Sequence, residues 1–146
     1  MDSGAVIRDY KIKDFRDVKR IHAQGGLDYQ FPDINSPLFI VRKVMTVNDK
    51  VVCAVLWRME VETYLLLDQE STLGPEEKMM ALRALQVEGL HELWTKGIDN
   101  CVAWIPESVE KHFSKRLTQL GWEPDRDGWR SWSRKTEPKN EHLPCH

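Results

Sequence analysis

The chain has 146 residues, enough for one domain with a real hydrophobic core. Its 21 basic and 23 acidic side chains leave a net charge of -2, which offers no cationic footprint for nucleic acid. No apolar run approaches the ~18 residues of a membrane span and no charged-then-apolar leader opens the chain, so a soluble, cytoplasmic protein with no membrane partner is expected. Three cysteines, Cys53, Cys101 and Cys145, lack a Cys-x-x-Cys pair and read as reduced thiols. Six tryptophans point to a core of large aromatics before an aromatic-lined pocket.

Residues 5–10 read as a first strand, and Lys13-Asp14 as a turn into a helix with Asp14 as its N-cap. Phe15, Val18, Ile21 and His22 recur on one helical face until Gly25-Gly26 stops it. A single histidine without a metal-spaced partner reads as a core-edge residue, so His22 is placed there. Residues 27–37, rich in aromatics and prolines, suggest a packed functional loop or a short helix and not a free linker. Two β-branched runs, 38–47 and 51–57, flank the turn pair Asn48-Asp49 and form a hairpin. After a polar passage, the apolar run 63–68 reads as a buried central strand, third in an antiparallel meander.

Pro75 opens a long helix that Gly97 closes. At about 100° per residue, Met79, Leu82, Leu85, Gly89, Leu90, Leu93 and Trp94 share one broad face. Gly89 marks either a close approach to a neighbouring strand or a tolerated helix glycine. Arg83 and Gln86 point into the same arc, where they reach the edge of a cleft or snorkel. Residues 100–105 then form a strand parallel to the central one, across a β-α-β crossover. A second amphipathic helix covers 107–120, with Val109, Phe113, Leu117 and Leu120 inward and Gly121 as its cap. Residues 129–134 alternate as a last strand. The expected domain spans 1–135, and 136–146 form a loose tail whose His142, Cys145 and His146 lack the preorganised partners a metal needs.

This order of elements resembles the GNAT (N-acetyltransferase) superfamily over roughly residues 5 to 135. Two passages sharpen the likeness. Lys115-Arg116-Leu117-Thr118-Gln119-Leu120-Gly121-Trp122-Glu123 resembles the family's leucine-glycine-aromatic helix end, and Ile7-Arg8-Asp9-Tyr10 with Asp14-Phe15 resembles its opening. The resemblance implies an α/β fold of the α+β kind, with a mixed, mostly antiparallel central sheet flanked by helices. It also implies acetyl-CoA as co-substrate, entering where two strands splay. The pyrophosphate would rest on amides at the start of the long helix, in a loop of pattern Gln/Arg-x-x-Gly-x-Gly/Ala. Gln69 and Gly74 match the first and last places while Thr72 replaces the first glycine, so the resemblance assigns Asp68, Gln69, Thr72, Gly74 and Lys78 to cofactor binding.

Several residues depart from that pattern. Glu70, Glu76 and Glu77 place like charge beside a diphosphate, and Pro75 removes one amide donor. Leu117 stands where family members often carry a tyrosine as general acid. Acetyl transfer to an amine needs a base and a donor that polarises the thioester carbonyl. Glu60 and Glu62, just before the central run, and Asp68 at its far end are the base candidates, and Tyr64 the substitute proton donor; their plainer readings are turn carboxylates and a cross-strand aromatic. The catalytic set expected is Glu60, Glu62 and Tyr64. The leading expectation is an acyl-CoA-dependent N-acyltransferase acting on a small-molecule or peptide amine. The alternative is a non-catalytic binding or assembly module on the same fold. In either case the tryptophan-rich C-terminal region offers a pairing edge for a homodimer.

Overall fold

The computed structural model describes residues 4–68, 70–125 and 129–138. It is a mixed α+β structure with a three-stranded antiparallel sheet and three α-helices. The described residues divide into two compact units, 4–59 with 134–138, and 60–133.

In the first unit, β1 (Ala5–Asp9), β2 (Phe39–Val47) and β3 (Lys50–Arg58) lie side by side in that order. The hairpin forms where the turn chemistry requires it. Asn48 and Asp49 both adopt positive φ, 50° and 62°, the pair of left-handed residues that a two-residue hairpin turn needs and that Asn and Asp tolerate. Register shifts between Phe39 and Val41 and between Met45 and Thr46 break the regular ladder. Helix α1 (Phe15–Gln24) lies against β3. Tyr10, Val18, Ile34, Phe39, Val44 and Val51 form the buried core, with Phe15, Ile21, Phe31, Ala54 and Leu56 packed around it.

Asp14 holds the N-cap position of α1, as expected, but its side chain makes no cap bond to the helix. Its side chain turns back instead, and the Arg8 guanidinium donates two bonds to it at 2.7 and 2.8 Å while the Lys11 amide donates a third at 2.8 Å. A 3-10 turn, Ile12–Asp14, carries the chain into α1, so the carboxylate is drawn to the stronger, charge-assisted partner.

The connection 27–37 is packed, as its composition suggests, but it is not helical. Ile34 is fully buried; the Arg42 guanidinium donates to its carbonyl at 3.0 Å and lies 5.2 Å from the Tyr10 ring, whose hydroxyl donates to Asn35. His22 sits at the core edge, with ring centroids of Tyr29 and Phe31 at 4.9 and 5.2 Å. Its Nε2 is buried without a hydrogen-bond partner. Because an orphaned buried polar atom costs stability that an apolar isostere does not, a His22→Phe variant is expected to unfold within about 0.5 kcal/mol of the parent or above it in a urea titration. A larger loss would show that the ring nitrogen has a role beyond filling space.

In the second unit, β4 (Val61–Thr63) and β5 (Cys101–Ala103) pair in parallel across α2 (Pro75–Thr95), so the crossover is present. The expected meander differs: the three-stranded antiparallel sheet is β1-β2-β3, while β4 belongs to a two-stranded sheet with β5, and Met59 in the first unit donates to the Leu38 carbonyl at 2.8 Å. The central strand is also shorter than expected. It begins at Val61 and ends at Thr63, and residues 64–68 are not strand: the ladder with β5 has only three pairs, ending at Thr63 and Ala103.

Helix α2 keeps its expected limits, with Gly74 as N-cap, Pro75 at its start and Gly97 at φ 82° just past its end. Its apolar face is narrower than the spacing implies. Met79, Leu82 and Leu93 are half-buried, whereas Leu85 and Trp94 are each 71% exposed and Leu90 is exposed as well. A Cβ added at Gly89 would meet nothing within 4 Å, so the tolerated-glycine reading holds. Gln86 neither snorkels nor lies idle. Its amide donates to the Leu120 carbonyl at 2.8 Å and accepts from the Trp122 indole at 2.9 Å, tying α2 to the end of α3 (Glu107–Gln119). Arg83 is exposed. On α3, Phe113 and Leu117 are half-buried and Leu120 buried, but Val109 is 46% exposed. Gly121 turns the chain at φ 90°.

No strand forms over 129–134; Trp132 is 91% exposed, and alternation alone supplied no partner edge. Gln69, residues 126–128 and the tail from 139, with His142, Cys145 and His146, lie outside the described residues.

Candidate functional site

The residues that the sequence singles out lie on β4, on the passage that follows it and on the first turn of α2. Along β4 the side chains alternate, so Glu62, opposite Val102, takes one face while Val61 and Thr63, opposite Cys101 and Ala103, take the other. Beyond the ladder, Tyr64 and Trp104 are 76% and 65% exposed.

The structure brings two of the three expected catalytic residues together. The Tyr64 hydroxyl bonds to the Glu62 carboxylate, and that hydrogen bond first, the carboxylate's negative charge second, raise the phenol above its ordinary value of 10.0. A phenol so held stays protonated at neutral pH and remains a proton donor. Glu60 lies apart from this pair. Its carboxylate accepts from the Asn100 side chain at 3.2 Å, joining the residue before β4 to the residue before β5. Asn100 was not legible as a site residue, because it precedes β5 by one position and carries no motif.

Between β4 and α2 the chain is shaped by short polar side chains bonding to nearby amides. The Asp68 carboxylate accepts from the Glu70 amide at 2.9 Å, the Asp68 carbonyl from the Ser71 amide at 3.3 Å, and the Ser71 hydroxyl from the Leu73 amide at 3.2 Å. Asp68 thus shapes the turn through its carboxylate, and Thr72 is exposed.

Gly74 then makes the N-cap of α2, with φ -70° and ψ 168°, and its carbonyl accepts from the Lys78 amide at 2.9 Å. No side chain caps this end, and Pro75 has no N–H, so the amides of Glu76 and Glu77 are the donors that the helix start presents. A Cβ at Gly74 would meet no atom within 4 Å. Gly74 therefore stands in open space, and the two amides and the helix dipole carry the partial positive charge of any helix start. Against an anion there stand the carboxylates of Glu70, Glu76 and Glu77. Lys78, half-buried one turn in, is the nearest cation in sequence.

Cys53 and Cys101 are free thiols, and among the described residues no group of three His, Cys, Asp or Glu side chains could hold a metal. Among the described residues no helix is long and apolar enough to cross a membrane. No family model matches the chain, and neither a curated protein nor a solved structure matches it.

Proposed function

We propose that this protein is a GNAT-like, acyl-CoA-dependent N-acyltransferase whose acceptor is the amine of a small molecule or peptide. The observation that carries the reading is the uncapped, glycine-led start of α2 at the end of a chain segment that leaves a parallel β-α-β pair three residues long. That is where the resembling family grips its diphosphate. An acyl-CoA supplies an activated thioester carbonyl; the rest is done by side chains.

Glu62 takes the proton that the acceptor amine loses as its nitrogen bonds the carbonyl carbon. Tyr64, hydrogen-bonded to that carboxylate and held protonated, gives its proton to the sulfur as the carbon–sulfur bond breaks, filling the role for which Leu117 has no proton. Glu60, bonded to Asn100, positions the start of β4. The Glu76 and Glu77 amides, Gly74, Thr72 and Lys78 form the diphosphate end of the site, and Gln69 matches the first place of the family's loop pattern.

A second reading has its own support. Three carboxylates around the helix start and the proline in its first turn weaken an anion site, which favours a non-catalytic binding module on the same framework. Incubation with acetyl-CoA and a panel of primary amines, following free thiol with a chromogenic disulfide, separates the two. The transferase reading expects amine-dependent thiol release that disappears in a Gly74→Trp variant. No release above the buffer rate with any amine leaves the binding module.

A further inference from the structure

We draw no further inference here: the strongest candidate, the face of the three-stranded sheet opposite α1 on which Ile7, Val41, Cys53, Val55 and Trp57 are exposed around the Lys43–Asp9 ion pair, is an unpartnered apolar face, and nothing in the structure shows what covers it.

Discussion

Replacing Asp14 by alanine is expected to lower the unfolding free energy of the first unit by about 3 kcal/mol, seen as a fall in urea midpoint at unchanged slope. Asp14 is 4% exposed and receives three hydrogen bonds, two from the Arg8 guanidinium and one from the Lys11 amide. Truncation leaves the Arg8 charge, itself only 24% exposed, without its partner, and leaves the amide without an acceptor. The double variant Arg8→Met, Asp14→Leu should be milder than Asp14→Ala alone, because both charges leave together. If the single variant unfolds like the parent, the pair contributes nothing to stability.

The same pair sets an acid limit. The Arg8 hydrogen bonds hold the Asp14 carboxyl at about 2 in the folded chain, below its ordinary 3.8. A depressed value means that the folded state binds the proton less readily than the unfolded one. The stabilisation is therefore complete above the ordinary value and is lost as pH falls from 3.8 toward about 2. Urea midpoints measured across that window should drop more steeply for the parent than for Asp14→Ala. Parallel pH profiles would contradict this.

The second large effect belongs to the site. On the proposed chemistry, Glu62→Gln lowers kcat/KM for acyl transfer by about 10²–10⁴-fold, the range for loss of a general base. Glutamine keeps the size of the side chain and can still accept from the Tyr64 hydroxyl, but it does not take up a proton. Loss confined to KM would mean that Glu62 binds the acceptor and does not activate it. Glu60→Gln is the comparison, since Glu60 already spends one oxygen on Asn100 and its neutral form keeps that bond; transfer should remain close to the parent rate.

How far these features could be read from the chain depended on whether their cause was local. Asn48-Asp49, Gly25-Gly26, Pro75, Gly97 and Gly121 act through their own backbone, and the turns and helix ends stand where those residues place them. The core face of α1 followed from spacing, because one sheet covers it. The apolar run at 63–68 misled, since periodicity cannot say whether a partner strand is at hand, and the ladder supplied only three pairs. The stripe on α2 failed similarly: Leu85 and Trp94 keep helical spacing without being covered. In the site, Glu62 and Tyr64 read separately, as base and donor candidates; their contact is local, two residues apart where β4 ends. The Gln86–Trp122 and Glu60–Asn100 contacts span 36 and 40 residues, and no local rule reaches that far.

The central claim, that the α2 start grips a diphosphate, is tested most directly by thermal unfolding with and without CoA, in the parent and in Gly74→Trp. Gly74 has an ordinary φ of -70° and open space around its Cβ position, so the variant should fold as the parent does while its side chain fills the phosphate position. The parent is expected to gain about 2.7 kcal/mol when CoA stands a hundredfold above its dissociation constant, and the variant to gain nothing. Superimposable transitions for the parent with and without millimolar CoA would contradict the claim.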